Sequence, residues 1–254
     1  MNHQADTATA EEVPFQQPDD YNATVHDIHN PLWELVGPRW QLHERLFREP
    51  TVLTPYPEGH ARAGEHDMLS SFQRREPMVK RFAWSVTAPA TVDFVAEHAG
   101  ELLLDPMAGT GYWAYLLRQC GVGVLASDLH GGAGNANPWH PEANAWTDVE
   151  RGDALDTLAA MGGAPGHTLL LAWPPCGDPV ANLALVAYTG TRVIYIGEEW
   201  GCTADDEFHQ RLESHWQLVA AHVPVCWDGI HDRVLVYERK QPTLKLEPCT
   251  CPTP

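Results

Sequence analysis

The stretch E-L-L-L-D-P-M-A-G-T-G-Y-W-A, from Glu101 to Ala114, decides how the chain folds. Its apolar run, Leu102 to Leu104, has strand character and ends in an acid, Asp105. A turn of small residues follows (Ala108, Gly109, Gly111), and Tyr112 to Gln119 then reads as a helix. Strand, glycine turn and helix in that order make a nucleotide-binding unit. The glycines let the backbone approach a ligand closely at positive φ, and the helix start offers N–H groups that lack intrahelical partners. Gly109, Gly111 and Ala114 also fit the dinucleotide spacing G-x-G-x-x-G/A. The glycines alone therefore leave NAD open.

Asp105 separates the two cofactors. A carboxylate at the mouth of the strand repels a pyrophosphate and suits a cation. S-adenosylmethionine carries an α-ammonium and a sulfonium and has no phosphate, so the acid favours it over NAD. Outward from this stretch, a second apolar run, Val122 to Ser127, leads into Asp128 and Leu129. An acidic turn, Gly152-Asp153-Ala154, comes next. Thr168 to Ala172 then runs as a strand into Trp173-Pro174-Pro175-Cys176.

D-P-M-A-G-T-G-Y with these later segments, in this order, resembles the class I S-adenosylmethionine-dependent methyltransferases, over roughly residues 80 to 240. The resemblance implies an α/β fold: a Rossmann-like, doubly wound, mostly parallel seven-stranded sheet with one antiparallel strand. It implies that Asp105 and the Ala108–Gly111 backbone hold the methionine portion of the cofactor. Asp128 would hold the ribose hydroxyls and Asp153 the adenine amine. Met107, Gly109, Gly111, Leu129, Ala154 and Trp173 complete the implied cofactor-binding set.

The remaining pattern agrees with that fold. Thr91 to His98 and Val180 to Tyr188 read as helices, Val193 to Ile196 as a strand, and Asp205 to Trp216 as a helix. Leu218 to Trp227 and Arg233 to Glu238 read as the last two strands. Alternating strands and helices predict a parallel sheet, with ligands at the carboxyl ends of its strands. Asp105, Asp128, Trp173 and Glu198 all follow strands and so converge on one edge. The strand before Asp153 is barely visible in the sequence.

Four divisions follow: an acidic, disordered tail over 1–20, an N-terminal helical extension or cap over 21–80, the cofactor-binding domain over 81–240, and a Pro/Cys-containing tail over 241–254. Within the extension, Trp40 to Phe47 reads as a helix, Pro50 to Gly64 as a loop, and Met68 to Phe72 as a helix. The chain has 254 residues, 44% of them apolar, enough for one α/β domain with an extension. No apolar run approaches the roughly 18 residues that span a membrane. The amino terminus has no basic start and no apolar core, so no signal peptide is expected, and cytoplasmic location with reduced thiols is. The formal net charge of −18 opposes a nucleic-acid partner, whose binding needs phosphate neutralisation. A small-molecule partner is expected. The six cysteines and fourteen histidines show no metal-ligand spacing, so no metal is expected. Oligomeric state is not legible.

Methyl transfer places a nucleophile in line with an already activated carbon, so position and dryness are what the protein supplies. Trp173-Pro174-Pro175-Cys176 resembles the (Asp/Asn)-Pro-Pro-aromatic turn of amino-methyltransferases, where a side chain and a proline-region carbonyl hold a planar amine. Here Trp173 cannot accept a hydrogen bond and Cys176 cannot stack; Trp173 can stack on a ring or hold a cation. Trp173, Pro174, Glu198 and Glu199 are the expected catalytic group, with the acids as candidate proton acceptors. Trp84, Ser85, Pro175, Cys176 and Trp200 are the expected substrate contacts. The expected activity is methylation of a small molecule, at nitrogen. The alternatives are an RNA or DNA base N-methyltransferase, a non-methylating use of the cofactor (cyclisation or aminocarboxypropyl transfer), and a non-catalytic binding protein.

Overall fold

The computed structural model describes residues 13–38, 52–53, 68–132, 137–141 and 144–240. The helix expected over Trp40–Phe47, the loop over Pro50–Gly64 and the tail over 241–254 lie outside these. Ten strands and seven helices follow in order among the described residues. They are β1 (Phe15–Gln16), α1 (31–38), β2 (Val52–Leu53), α2 (Met68–Arg81), α3 (Pro89–Ala99), β3 (Leu102–Asp105) and α4 (Tyr112–Gln119). Then come β4 (Gly123–Asp128), β5 (Glu150–Arg151), α5 (Ala154–Ala160), β6 (Thr168–Ala172) and α6 (Val180–Ala187). The chain closes with β7 (Arg192–Gly197), α7 (Asp206–His215), β8 (Trp216–His222), β9 (Cys226–Trp227) and β10 (Arg233–Arg239).

Eight strands form one sheet in the order β1-β8-β10-β7-β6-β3-β4-β5. β10 runs antiparallel to both its neighbours, and every other pairing is parallel. The seven strands from β3 to β10, leaving out β9, are the doubly wound, mostly parallel sheet with one antiparallel strand that the sequence implied. β1 is an addition. Residues 13–20 are not a free tail: Phe15 and Gln16 pair with Ala221 and His222 and cover the outer edge of β8. The expected strand Leu218–Trp227 is corrected too, since β8 ends at His222 and Cys226–Trp227 pairs separately with Val52–Leu53. Pro224 lies between the two pieces. Proline has no N–H to give a ladder, which fits the break.

A parallel sheet covered on both faces needs near-continuous apolar strands, and L-L-L-D, T-L-L-L-A and R-V-I-Y-I-G supply them. Alternate side chains divide between two cores. Leu103, Leu170, Ile194, Ile196, Val234 and Val236 enter one with α3, α4 and the N-terminal segment. Leu104, Leu169, Leu171, Tyr195 and Leu235 enter the other, against residues of α5, α6 and α7. The cores are therefore the two faces of one sheet, set by the two-residue period of a strand.

The described part of the extension is fastened to α3 and α4. Asn30 is buried; it accepts from the Tyr112 hydroxyl at 2.9 Å and donates to the Thr87 carbonyl at 2.6 Å. Asp93 accepts from Thr24 Oγ1 and the Val25 N–H. Asp93 also stands with His26 and Cys120 in a trio close enough to share an ion.

Candidate functional site

The order of strands reverses between β3 and β6. The chain winds outward from β3 to β4 and β5, then returns to start again at β6 and β7. That reversal opens a crevice at the carboxyl ends of β3 and β6. A cavity of about 520 Å³ lies there, and Asp105, Asp128, Asp153 and Trp173 all line it. Of the residues singled out in the sequence, it also gathers Met107, Ala108, Gly109, Leu129 and Ala154, with Trp84, Ser85, Pro174, Pro175 and Cys176.

Asp105 is the most unusual of these. Its side chain is 2% exposed, and Oδ1 has no hydrogen-bond partner. Burial, and then the charge of Asp128, push its pKa up to about 8, against a smaller opposing contribution from the Met107 N–H. Leaving a buried oxygen unmet costs on the order of 1–3 kcal/mol, more for a charged group. Asp128 is by contrast well supplied. Its Oδ2 accepts the Gly109 N–H and its Oδ1 the His130 N–H, both at 2.9 Å, with Asn137 further off. Asp153 uses Oδ1 to cap α5, accepting from Leu155 and Asp156.

The glycine turn has two distinct jobs. Gly109 has φ +56°, and a Cβ there would stand 2.8 Å from His140 Nε2. Gly111 has φ +73° and precedes α4; a Cβ there would meet Val149 at 2.6 Å. Gly111 does not line the cavity, so its role is to let the turn lie close against Thr147 and Val149, in the segment before β5.

One wall is Phe82 to Ser85, within a segment whose carbonyls are met by side chains from distant elements. His140 Nδ1 pairs with the Val79 carbonyl, and the Trp146 and Thr110 side chains donate to those of Arg81 and Phe82. Trp227 Nε1 donates to the Trp84 carbonyl at 2.9 Å. The first of these meet the orphan carbonyls at the end of α2. Because a carbonyl only accepts, His140 Nδ1 carries a proton; burial holds the ring's pKa below its usual value, so Nε2 is bare and faces Gly109. Ser85 Oγ accepts from Trp113 Nε1 at 3.2 Å.

The W-P-P-C turn is held in a backbone shape unusual for its sequence. Trp173 has φ +52°, a left-handed value that side chains other than glycine seldom adopt. Its N–H donates to the Ile196 carbonyl, and its indole N–H donates to Asp232 Oδ1 at 2.9 Å. Asp232 is fully buried; burial raises its pKa to about 7, opposed by the Trp173 bond and the charge of Arg75. The Arg75 guanidinium carbon lies 4.7 Å from the Trp173 ring centre and 5.3 Å from that of Trp84. The Pro174 carbonyl accepts the Ala204 N–H and that of Pro175 the Asp178 N–H, so the turn's carbonyls are already partly engaged.

Three expected acceptor-end residues are not brought to the cavity: Glu198, Glu199 and Trp200. Glu198 is buried, and its two oxygens accept the His231 and Cys202 N–H groups. Burial pushes its pKa up, but those bonds together hold it below the usual carboxylate value. It braces a loop and is not a base aimed at a substrate. Glu199 is exposed. Trp200 is half exposed, stacks near His209 and donates to Glu213. The chain leaves β7 and turns outward, Trp200 itself at φ +56°, which carries these side chains off the carboxyl edge.

Sequence reasoning missed His140, Asp178 and Cys202, which line the cavity, and Arg75 and Asp232, which sit behind it. No spacing links 75, 173 and 232. Their meeting is purely tertiary.

No family model matches the chain, and no curated protein does. Among solved structures it is similar to a magnesium protoporphyrin IX methyltransferase from Synechocystis with bound SAM, at 14% identity and TM-score 0.42, covering 85% of this chain and 100% of that one. It is similar to a Burkholderia thailandensis 1,6-didemethyltoxoflavin-N1-methyltransferase with bound 1,6-didemethyltoxoflavin and S-adenosylhomocysteine, at 19% identity and TM-score 0.41, covering 73% and 94%. An rRNA methylase from Streptococcus thermophilus is similar at 15% identity and TM-score 0.37, covering 60% and 96%. Overlaps this loose carry no assignment, and the strand order and the cavity stand without them.

Proposed function

We propose that this chain is an S-adenosylmethionine-dependent methyltransferase acting on a small molecule, at nitrogen. One observation carries the reading: Asp105, buried at the switch point with one oxygen unpartnered, lines a cavity of cofactor size. A phosphate there would face two acids, Asp105 and Asp128. An ammonium would supply both the missing donor and the missing charge. The residues present therefore fit the methionine end of this cofactor.

When bound, the cofactor supplies a methyl carbon already activated by its sulfonium. The chain's own residues do the rest. The Ala108–Gly111 backbone and Asp105 would hold the amino-acid end. Asp128 uses three of about four acceptor positions internally, which leaves capacity for a ribose hydroxyl. Asp153 keeps its second oxygen for the adenine amine. At the other end, each proline-region carbonyl retains a second lone pair for an N–H of the acceptor. A neutral amine or ring nitrogen has its lone pair ready at pH 7, so the site needs placement more than a strong base. Asp178, exposed at the rim, can take the proton released afterwards. The net charge of −18 supports a small acceptor over a nucleic acid.

The test is calorimetric titration with S-adenosylmethionine, S-adenosylhomocysteine and NAD, on the protein and on Asp105→Ala and Asp128→Ala. Micromolar binding of both sulfur nucleosides is expected. Asp105→Ala should weaken S-adenosylmethionine on the order of 100-fold, about 3 kcal/mol for removing one partner of a buried pair. Binding of NAD alone would overturn the reading. Release of methylthioadenosine instead of S-adenosylhomocysteine during turnover would keep the cofactor and replace the reaction.

A further inference from the structure

The acceptor end of the cavity is walled by indoles. Trp84 and Trp173 stack, with ring centres 5.4 Å apart and planes 19° from parallel. Trp139 meets Trp84 edge-on, at 6.4 Å and 69°. All three line the cavity, and Trp139 is 55% exposed, so its ring is not there to fill a core. The stacked pair covers one face of each ring, and an outer face of the pair with the perpendicular third makes a corner. Aromatic rings attract one another either offset and parallel or edge to face, and this corner offers a guest both arrangements at once.

Trp173 could in principle serve a cation as readily as a ring. The surroundings decide against the cation. Arg75 already lies over Trp84 and Trp173, at 5.3 and 4.7 Å, and is not among the residues lining the cavity. Its guanidinium therefore has the cation's place on both rings, and a second cation would share electron density that the first has drawn. A flat neutral ring loses nothing by this. The wall is also fixed in orientation: Asp232 holds the edge of Trp173 through its indole N–H, and Trp227 holds the backbone carbonyl of Trp84.

We propose that the acceptor is a flat, uncharged aromatic or heteroaromatic compound, stacked in the corner of Trp84, Trp139 and Trp173, with Asp232 as the residue that positions Trp173. This rests on the methyltransferase reading, which gives the other end of the cavity to the cofactor. Proline-region carbonyls at the foot of the same wall are placed to meet an N–H on the ring's edge.

The experiment uses protein saturated with S-adenosylhomocysteine at pH 7.5, so that only the acceptor end is open. Three probes are titrated by calorimetry: quinoline, which is flat and neutral; cyclohexylmethanol, which is neutral and not flat; and tetramethylammonium, a cation. Quinoline should bind at least ten-fold more tightly than either. Trp139→Ala, at an exposed position, should lose ten-fold or more in quinoline affinity while S-adenosylhomocysteine affinity is unchanged. Asp232→Asn keeps an acceptor for the indole and should bind quinoline nearly as the parent does, whereas Asp232→Leu should lose about ten-fold. Equal binding of the three probes, preference for tetramethylammonium, or quinoline affinity indifferent to Trp139→Ala would each overturn the proposal. If S-adenosylhomocysteine itself does not bind, the methyltransferase reading fails separately. Quinoline titrated onto the free protein and Trp139→Ala would then still judge the aromatic corner.

Discussion

The two ends of the cavity are made from opposite materials. The cofactor end consists of acids and a glycine turn, drawn mostly from one strand–turn–helix unit, Asp105 to Gly111 at the head of α4, and from the next strand's Asp128. The proposed acceptor end consists of indoles drawn from α2's exit, from the connection after β4, and from the turn after β6, and it is braced by Arg75 of α2 and by Asp232 just before β10. On the proposed reading the first end would recognise charge with fixed backbone. The second would recognise flatness with side chains whose orientation other side chains must secure. An enzyme that always uses one cofactor gains from the first kind of construction, and one whose acceptor is peculiar to it gains from the second.

The difference predicts that damage at one end should spare the other. Among changes to the backbone rather than to charge, the largest effect is expected from Gly109→Ala, since φ +56° and the close approach of His140 both exclude a Cβ. Left-handed backbone alone costs a side chain about 1–2 kcal/mol. S-adenosylhomocysteine affinity should fall by roughly ten-fold, and Tm by a few degrees. Quinoline binding to whatever protein remains folded should be little changed. Loss of both together would mean that the two ends are one mechanical unit.

A middle-sized effect is expected from pH. Asp105 and Asp232 ionise near 4 when unfolded but only near 8 and 7 when folded, chiefly through burial. Between those values the folded chain holds more protons than the unfolded one, so their contribution to stability is complete at low pH and is lost as pH rises. The buried His222, held down to about 4, acts in the opposite sense, but only up to its ordinary value near 6.5. Thermal stability of the ligand-free protein should therefore decline from about pH 6.5 to 8, and Asp105→Asn should flatten that decline. S-adenosylmethionine binding at pH 7 should release close to one proton, measurable as a dependence of binding heat on buffer ionisation. No proton release would detach Asp105 from the cofactor's cation.

The smallest effects belong to Glu199→Gln and Trp200→Ala. Both residues lie outside the cavity, so cofactor and quinoline affinities should stay within about two-fold of the parent. A ten-fold loss from either would put the loop after β7 back at the acceptor end.

Much of this division can be traced to what the chain writes locally. Asp105, Asp128 and Asp153 sit at strand ends or a helix cap, and strand ends in a doubly wound sheet share one edge whatever the detail. Their convergence follows from alternation of elements alone. Glu198 and Trp200 satisfy the same rule and yet turn away, because the rule places a backbone and says nothing of the path it takes next. The left-handed residues Trp173 and Trp200 are where those paths are set, and neither carries the glycine that would have announced it. Arg75 and Asp232 meet under Trp173 from positions far apart in the chain, with no period or spacing to betray them. Strand β5 is two residues long and β1 is likewise two, too short for any alternation to register.

The strand pairing at the amino end has a bearing on how the molecule comes into being. Phe15 and Gln16 lie against Ala221 and His222, and the Tyr21 hydroxyl donates to the Val223 carbonyl across 202 positions of chain. A chain synthesised from its amino terminus makes this segment some time before its partner. Until residues 216–223 have left the ribosome, neither that bond nor the pairing of β1 with β8 can form. This closure of the sheet is thus a step of very long loop, and a product cut short before residue 223 could not perform it.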